Sequence, residues 1–361
     1  MTDYDIAVLP GDGIGTEVMD AALAVLQALQ PRLGRRFVTT VHPAGAAHYL
    51  RSGVALPDKT LAACRAAHAI LFGAMGLPDV RAADGTEIIP QLDLRFALDL
   101  YAGVRPIRCW PGLPTPLADA RAAQIDLVLV RESTEGLFYA RGRGVMEGQG
   151  EDAAALDTMK ITRRGTARVC DFAIDLARQR KAAGRPGRVT NVDKANVFTS
   201  LAFWRQVFEE RARLHPDITI EHAYVDAMAL NLVMKPWQYD VLVTENMFGD
   251  ILSDLIAALV GGMGMAPSGD IGDAHALFQP AHGTAPDIAG QGIANPSAML
   301  LSAAMMLDWL AMRHADAALA DGARAIENAL RAAFEQGAVR PRDFGGSSGT
   351  ADIVRAVLER L

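Results

Sequence analysis

The sequence has few cysteines, no excess of positive charge and no long hydrophobic run, and each absence excludes a class of protein. Its three cysteines, Cys64, Cys109 and Cys170, lie far apart and form neither a metal-binding spacing nor an even disulfide set. We therefore expect reduced, mostly structural thiols in a cytoplasmic protein. The formal net charge of −7 offers no positive surface for nucleic acid, which we exclude as a partner.

Apolar segments are too short for a membrane protein. The most apolar helix-like stretch, Met299 to Met312, is shorter than a membrane span and is interrupted by Ser302 and Asp308, so we interpret it as a buried helix. The first residues, MTDYDIAVLP, carry acidic groups where a signal peptide needs positive charge. We expect no contact with a membrane.

Short apolar runs alternate with amphipathic segments of helical length, a pattern typical of α/β proteins. Five segments resemble strands: DIAVLPGDG, AILFGAMG, IDLVLVRES, GRVTNVD and YDVLVTENM. Helical spacing occurs from Thr16 to Leu29 and in KTLAACRAAHA, TARVCDFAIDLARQRKAAG and SLAFWRQVFEERARL. A chain of 361 residues suits two domains or one large α/β unit, and the absence of a long linker indicates that two domains would be closely joined.

The glycine-rich segment PGDGIGTE at positions 10–17 suggests dinucleotide binding but lacks the required G-x-G-x-x-G spacing. A glycine turn between a strand and a helix explains it better. Asp12 in this turn becomes a candidate for cofactor binding only if other cofactor elements accompany it.

A cluster of carboxylates predicts a metal site. Asp250 and Asp254 are four residues apart and lie on one face if the segment is helical, and Asp226 is a further candidate. Apolar neighbours indicate that this face is partly buried, where carboxylates repel one another unless a cation joins them. Oxygen ligands favour Mg²⁺ or Mn²⁺ over zinc.

Cationic residues within apolar segments predict binding of an acid. Arg95, Arg105 and Arg131 could together hold a polycarboxylate through bidentate contacts, although each alone is better explained by a structural ion pair. Lys194 follows a predicted strand and could carry a proton if neighbours lowered its pKa.

The motifs of the whole chain resemble those of the NAD(P)-dependent β-decarboxylating dehydrogenases, a family that includes isopropylmalate, isocitrate, homoisocitrate and tartrate or D-malate dehydrogenases. The matching motifs follow the family's order: PGDGIGTEV, DLYAGVRP, RESTEG, VDKANV, VDAMALNLV, TENMFGDILSD, HGTAPDIAGQGIANPSAMLLSAAMML and PRDFGGSSGT. The resemblance implies a two-domain α/β fold of the isopropylmalate dehydrogenase type, not a conventional Rossmann fold. It further implies a discontinuous NAD-binding domain of residues 1–101 and 254–361, and a substrate, metal and dimerisation domain of residues 102–253.

The resemblance also implies a role for each matching residue. Arg95, Arg105 and Arg131 would grip the malate carboxylates, and Lys194 would serve proton transfer from the alcohol. Asp226, Asp250 and Asp254 would hold Mg²⁺ or Mn²⁺, with Lys194 and Asp226 entering the site from the second subunit of a homodimer. The NAD-binding residues would be Asp12, His282, Gly283, Thr284, Ala285, Asp287, Ile288 and Asn295.

Asp287 predicts the choice of NAD over NADP. NADP-dependent isocitrate dehydrogenases carry a lysine and then a tyrosine in the corresponding region. A carboxylate at this position accepts hydrogen bonds from both ribose hydroxyls and repels a 2′-phosphate.

The chain departs from the family at the proton donor. The family's general acid is a tyrosine seven residues after the arginine of RExTEG, which is Phe138 here, with Tyr139 one position later. Three hypotheses follow: Tyr139 is turned into the site by a local bulge, water or another group is the acid, or the substrate is oxidised without efficient decarboxylation. Tyr139 is therefore a provisional catalytic residue.

The chain also departs at two further places. Gln279 stands where the family usually has glutamate, and we expect a modest effect on cofactor affinity. The segment before Arg95 should contact the group on C3 of the substrate through Ile88, Gln91 and Leu92. It matches neither the isopropylmalate set of a glutamate and two leucines nor the serine and asparagine of the isocitrate enzymes.

The sequence thus predicts an NAD- and Mg²⁺/Mn²⁺-dependent oxidative decarboxylation of a 3-substituted (2R)-malate, with 3-isopropylmalate or a related alkylmalate as substrate. Ile89 cannot bind a γ-carboxylate, which argues against isocitrate. Tartrate or D-malate is the alternative substrate. A non-catalytic regulatory homologue is the alternative class, although retention of Lys194, three aspartates and three arginines argues against it.

Overall fold

The computed structural model describes residues 2–83 and 85–361. Within these ranges the strands are β1 Thr2–Gly11, β2 Arg35–Val41, β3 Ala69–Ala74, β4 Ala102–Arg108, β5 Asp126–Glu132, β6 Val145–Glu147, β7 Ala154–Leu156, β8 Arg188–Asp193, β9 Thr219–Tyr224, β10 Val241–Thr244, β11 Pro267–Ile271 and β12 Ala276–Pro280. The α-helices are α1 Gly15–Leu33, α2 Ala46–Ser52, α3 Asp58–Ala66, α4 Pro90–Ala97, α5 Arg163–Ala182, α6 Thr199–Ala212, α7 Val225–Met234, α8 Asn246–Leu259, α9 Ser297–His314, α10 Ala317–Glu335 and α11 Thr350–Leu358.

The chain forms two compact units. The first contains residues Met1–Leu100, Cys109–Ala118 and Ala257–Leu361, and the second contains Tyr101–Arg108 and Asp119–Ile256. The sequence-based division placed the boundaries at 101/102 and 253/254, and did not include 109–118 in the first domain. The functions predicted for the two domains remain predictions.

In the first unit the strand order is β2–β1–β3–β12–β11. Strands β1, β2, β3 and β12 are parallel, and β11 is antiparallel to β12. All six residues of β3 are buried, as expected for a central parallel strand covered on both faces. The carboxyl ends of β1, β3 and β12 therefore lie at one edge, which is where α/β proteins bind ligands.

Helices cover this sheet with apolar faces. In α1 the buried residues recur at helical spacing, including Val18, Ala22, Val25 and Leu29. Helix α9 is buried along most of its length and belongs to the same core as α1 and α10. The segment Met299–Met312 is thus part of a buried helix, as predicted. No helix in the described ranges is long and apolar enough to cross a membrane.

In the second unit the strand order is β4–β5–β10–β8–β9, with β5, β10, β8 and β9 parallel and β4 antiparallel to β5. Strands β6 and β7 form a separate antiparallel hairpin. The carboxyl ends of β5, β10 and β8 are neighbours at one edge of the sheet. Each of these strands leads directly into a segment that carries predicted site residues.

The predicted α/β class is correct, and all five predicted strands are present. The pattern did not identify β2, β4 or β9. It also missed β11 and β12, whose Gly, Pro and polar residues resemble a loop, and the exposed hairpin strands β6 and β7. The three cysteines form no disulfide, and Cys64 and Cys170 are buried. Burial raises the pKa of the Cys64 thiol to about 12, which agrees with a structural role.

Candidate active site

Arg131 lies at the end of β5 and is buried against the first turns of α8. It donates through Nε and Nη2 to Oδ1 of Asn246, at 3.0 and 2.6 Å, and its Nη1 forms an ion pair with Asp250. Two residues of α8 therefore determine the orientation of this guanidinium. Asn246 was not identified from the sequence, although it lies within the quoted motif TENMFGDILSD.

Gly249 makes room for Arg131. A Cβ atom at position 249 would lie 2.6 Å from Cγ and 2.7 Å from Cβ of Arg131, closer than real Cβ contacts allow. A helix normally disfavours glycine relative to alanine by about 1 kcal/mol. The glycine in the first turn of α8 is explained by this close approach of the arginine stem.

Asp254 lies one helical turn after Asp250 on α8, as predicted. Partial burial, and then the neighbouring charge of Asp250, raise the pKa of the Asp254 carboxyl, while Arg105 opposes this shift. Repulsion between two carboxylates is the condition that a divalent cation would relieve. The structure thus places Arg105, Arg131, Asp250 and Asp254 in one electrostatic neighbourhood.

Lys194 and Asp226 form a second group. Lys194 follows the end of β8, and its Nζ atom lies 2.8 Å from Oδ1 of Asp226 in the first turn of α7. This contact with Lys194 is the main reason that the pKa of Asp226 is lowered. The lysine side chain is largely covered, at 23% exposed, whereas the aspartate is 69% exposed. The aspartate therefore remains accessible to a further partner.

A buried network supports the turn that carries Lys194. Asp193 accepts hydrogen bonds from Arg205 at 2.8 Å and from the Asn191 side chain at 2.6 Å. Asn191 in turn accepts from the indole of Trp204 at 2.7 Å. None of these residues was singled out from the sequence, because their roles depend on contacts between β8 and α6.

The three predicted metal ligands are divided between these two groups within one chain. In residues 2–83 and 85–361, no group of three or more His, Cys, Asp or Glu side chains is arranged to hold a metal ion. Asp250 and Asp254 supply the oxygen donors and the mutual repulsion that suit Mg²⁺ or Mn²⁺. The exposed carboxylate of Asp226 has the same chemistry but lies beside Lys194.

The two consecutive rings of Phe138 and Tyr139 contact different cations. The guanidinium of Arg131 lies 4.9 Å from the centre of the Phe138 ring. The Tyr139 ring instead contacts Arg143 at 4.0 Å and Lys160 at 4.5 Å. Both residues belong to the 3₁₀ helix Leu137–Ala140, in which successive side chains point about 120° apart. Phe138 is therefore the ring beside the predicted substrate arginine.

In the first unit, Arg95 lies on α4 and is buried. Its Nε atom is 3.0 Å from Oδ2 of Asp270 on β11, and the Asp270 side chain is completely buried. Gln279 on β12 donates from Nε2 to the same Asp270 oxygen at 3.1 Å. Asp270 was not predicted, because its strand was not recognised.

The residues predicted to select the substrate lie at the start of α4 and differ in their surroundings. Ile88 is buried in a small apolar cluster with Ala46 and Val80, and Leu92 is also buried. The Oε1 atom of Gln91 is buried and has no hydrogen-bond partner among the described residues. A buried unpaired amide oxygen costs about 1–3 kcal/mol, which a ligand with a hydrogen-bond donor would offset.

Asp12 supports the local backbone of the first unit. Its carboxylate accepts hydrogen bonds from the N–H groups of Ala46, Gly76 and Ala47, at 2.7, 2.9 and 2.9 Å. Its neighbour Gly13, at φ +55°, packs against the backbone of Thr284, where a Cβ atom would lie 2.0 Å from the carbonyl oxygen. The glycine segment is thus a tight turn, and the role of Asp12 in cofactor binding stays a prediction.

The predicted cofactor loop follows β12 at the same edge. His282 points Nδ1 at the carbonyl oxygen of Gly283, at 2.8 Å, while its Nε2 atom is buried without a hydrogen-bond partner among the described residues. Asp287 is exposed. Asn295 is buried, donates to Asp343 at 3.0 Å and accepts from the backbone N–H of Ser297 at 3.1 Å. The unpaired histidine nitrogen and the exposed carboxylate fit a hydroxyl-rich ligand such as the adenosine part of NAD.

Glu17 was not predicted but secures this loop. Its carboxylate accepts hydrogen bonds from the N–H groups of Gly290 and Ala294, at 3.2 and 3.3 Å, and from the hydroxyl of Thr350 at 3.2 Å. One side chain on α1 thereby joins the loop to the start of α11. Glu17 lies in the motif PGDGIGTEV, but the sequence alone did not reveal the role of this glutamate.

Comparison with known proteins gives matches along the full chain. The family model described as isocitrate/isopropylmalate dehydrogenase matches residues 5–357. The 3-isopropylmalate dehydrogenase of Aquifex aeolicus is 40% identical, covering 100% of this chain and 98% of its own, and that of Moorella thermoacetica is 45% identical over 85% of each.

Solved structures agree with these matches. The isocitrate dehydrogenase of Methylococcus capsulatus aligns with a TM-score of 0.85 at 38% identity, covering 99% of both chains. A β-decarboxylating dehydrogenase of Thermococcus kodakarensis aligns with a TM-score of 0.76 at 37% identity, covering 99% of this chain and 96% of its own. Relatives with different substrates in their names are thus about equally similar, so the site residues must distinguish between substrates.

Proposed function

Because the chain belongs to the isocitrate/isopropylmalate dehydrogenase family, we propose that it oxidises and decarboxylates a 3-substituted (2R)-malate, using NAD and Mg²⁺ or Mn²⁺. The observation that carries this proposal is the pair of groups at the strand ends of the second unit. Arg131 at the end of β5 is held against Asp250 on α8, and Lys194, which follows β8, is held against Asp226 on α7. The first group suits an acid and a cation, and the second suits a proton transfer.

The arginines bind the substrate carboxylates. Arg95, Arg105 and Arg131 are all buried, so a carboxylate bound to them is screened little by water. Their planar forks hold the acid in one orientation through paired hydrogen bonds. A single orientation of the acid would make one C2–H bond available for hydride transfer to NAD.

Lys194 takes the proton of the C2 hydroxyl, and Asp226, at 2.8 Å from Nζ, keeps the lysine side chain in place. When bound, the metal would acidify the alcohol and stabilise negative charge on its oxygen, and NAD would accept the hydride.

The metal would be held by the carboxylate oxygens of Asp226, Asp250 and Asp254. Asp226 and Asp250 are partly exposed, and Asp250 and Asp254 repel each other, which a bound cation would relieve. The loop after β12 would hold NAD. There the exposed Asp287 carboxylate would accept hydrogen bonds from the two ribose hydroxyls and repel a 2′-phosphate, which favours NAD over NADP.

We further propose that the active site is completed by a second copy of the chain. Asp226 would reach the Asp250 and Asp254 pair of its partner. Helix α7, which carries Asp226, and the β6–β7 hairpin expose many large apolar side chains, as protein interfaces do. These are Val145, Met146 and Leu156 on the hairpin and Leu230, Val233 and Met234 on the helix.

Two classes of substrate are compatible with the site: malates with an alkyl group on C3, and tartrate or D-malate. The names of the relatives favour 3-isopropylmalate or a related alkylmalate, and buried Ile88 and Leu92 supply apolar surroundings. The unpaired Oε1 atom of Gln91 favours a substituent with a hydroxyl donor, such as the 3-hydroxyl of tartrate. We propose an alkylmalate as the principal substrate and tartrate or D-malate as the second candidate.

The test is NADH formation with Mn²⁺ on 3-isopropylmalate, tartrate, D-malate and isocitrate, with EDTA as control. We expect metal-dependent turnover of one of the first three acids and none of isocitrate. The variant Gln91→Leu should raise kcat/KM for 3-isopropylmalate about tenfold, because an unpaired buried amide is removed. A fall in kcat/KM for tartrate in the same variant would favour the second candidate, and turnover of no acid would contradict the proposed activity.

A further inference from the structure

A buried ion pair in the first unit involves an additional polar side chain. Arg95 and Asp270 approach to 3.0 Å, with side chains only 6% and 0% exposed, and Gln279 donates to the same carboxylate oxygen at 3.1 Å. Gln279 stands at the position where the family usually has glutamate. The amide therefore belongs to the environment of a predicted substrate arginine.

Strand geometry places the amide against the carboxylate. In the antiparallel ladder of β11 and β12, Gln279 is opposite Ser268, two residues before Asp270. Residues two apart on a strand share a face, so Gln279 and Asp270 are diagonal neighbours. The backbone of Gln279 is also held, because its carbonyl oxygen accepts a hydrogen bond from the hydroxyl of Ser302 at 2.7 Å.

The neutral amide preserves the charge balance of the pair. Within the Arg95–Asp270 pair the guanidinium and the carboxylate carry opposite charges, and the amide of Gln279 adds no charge to them. A glutamate at position 279 would place a second carboxylate within hydrogen-bond distance of Asp270, next to Arg95. Two carboxylates this close do not both ionise readily, and one of them retains a proton to a higher pH.

The position of Asp270 also determines which part of Arg95 faces a ligand. The closest contact is with Nε, the nitrogen nearest the aliphatic stem. A bidentate contact with a substrate carboxylate can use the edge formed by the two terminal nitrogens. Nε has no hydrogen-bond partner among the described residues, so Asp270 attracts the guanidinium as an ion pair from the side of the stem. This attraction favours an orientation in which the terminal nitrogens point away from Asp270.

We propose that Asp270 and Gln279 are positioning residues for the hydroxy acid substrate: together they hold Arg95 at balanced charge and in one orientation. The inference rests on the proposed function, because it takes Arg95 to bind a substrate carboxylate. It assigns Gln279 to substrate binding, whereas the sequence predicted an effect on the cofactor.

The principal test is Gln279→Glu, with Gln336→Glu as matched control. Gln336 is exposed in the same unit and already accepts hydrogen bonds from Arg360, so its replacement makes the same chemical change next to an arginine at the surface. KM for the hydroxy acid, KM for NAD and kcat are measured from pH 6 to 9. Thermal unfolding shows whether each variant is folded.

We expect Gln279→Glu to raise KM for the hydroxy acid about tenfold at high pH, where both carboxylates are ionised and neutralise Arg95. The increase should diminish at low pH as one carboxylate gains a proton. KM for NAD and kcat should stay within about twofold. The double variant Asp270→Asn with Gln279→Glu, which exchanges the positions of carboxylate and amide, should lose the pH dependence.

A hydroxy acid KM that equals the wild-type value at every pH, or that changes equally in Gln336→Glu, would overturn the inference. If Gln279→Glu does not fold, Gln279→Met removes only the hydrogen bond, and an unchanged hydroxy acid KM would then overturn it. Wild-type protein is measured in the same series. A wild type inactive on every acid contradicts the proposed function, whereas an active wild type with an unaffected variant contradicts only this inference.

Discussion

At the scale of the residue, the neighbouring rings Phe138 and Tyr139 illustrate how one position changes chemistry. Phe138 lies against Arg131 and has no proton to give, while Tyr139 contacts Arg143 and Lys160. Residues Leu137–Ala140 form a 3₁₀ turn, and this turn does not bring Tyr139 to the position of Phe138. We infer that water or another group protonates the enolate carbon after decarboxylation.

The variant Tyr139→Phe tests this inference. We expect kcat within about twofold of wild type and equal amounts of NADH and CO₂, since loss of a true general acid costs about 10²–10⁴-fold. Tyr239→Phe, in the same unit, controls for removal of a phenolic hydroxyl. A fall of a hundredfold or more, or NADH without CO₂, would restore Tyr139 as the proton donor.

At the scale of the element, α8 combines three functions within its first turns. Asn246 and Asp250 orient Arg131, and Asp254 extends the acidic face by one turn. The helix can approach β5 this closely only because residue 249 has no side chain. Packing of a helix on a strand end, rather than a loop, thus determines the geometry of the proposed substrate and metal residues.

Replacing Gly249 by alanine should therefore reverse the usual effect of that substitution in a helix. Helix propensity alone would stabilise the fold by about 0.5–1 kcal/mol, but the Cβ atom would displace Arg131. We expect a net loss of about 1–3 kcal/mol in the free energy of unfolding and a higher KM for the hydroxy acid.

Denaturant unfolding and steady-state kinetics measure both effects. Ala258→Gly, at an exposed position of the same helix, gives the propensity contribution without a new contact. A Gly249→Ala protein that is more stable than wild type and fully active would show that Arg131 is not held by this contact.

At the scale of the whole molecule, we propose that two chains together form the active site. Within one chain Asp226 contacts Lys194, and Asp250 contacts Arg131, so the two halves of the predicted metal site are separate contacts. In a dimer with two-fold symmetry, Asp226 of each chain would meet Asp250 and Asp254 of the other chain.

Complementation measures this directly. Asp226→Asn and Asp250→Asn should each be inactive, whereas a purified heterodimer of the two, isolated with two different tags, contains one intact site and should recover about half of the wild-type turnover per dimer. The controls are dimers in which both chains carry the same substitution, isolated with the same two tags. An inactive mixed heterodimer would show that the site is formed within a single chain.

Much of this architecture was predictable from the sequence. Apolar periodicity identified the α/β class and the buried helix that contains Met299–Met312, and the order of motifs identified the family, which the full-length matches confirm. The charged residues of the site were also recognisable, because arginines and aspartates in apolar segments require partners. Strands β11 and β12 escaped prediction because their stability comes from pairing with each other rather than from local propensity.

The sequence by itself determined which chemical groups the protein has: the arginines predicted to bind an acid, the aspartates predicted to bind a cation and the lysine predicted to transfer a proton. The local sequence pattern is enough to identify these residues, because a charged residue in an apolar segment can be recognised without knowing its neighbours in the folded protein. Only the tertiary structure decided which group meets which, pairing Arg131 with Asn246 and turning Phe138 toward it. It also brought Asp270 into contact with both Arg95 and Gln279. Such contacts between distant segments depend on strand register and helix packing, which a local pattern does not contain.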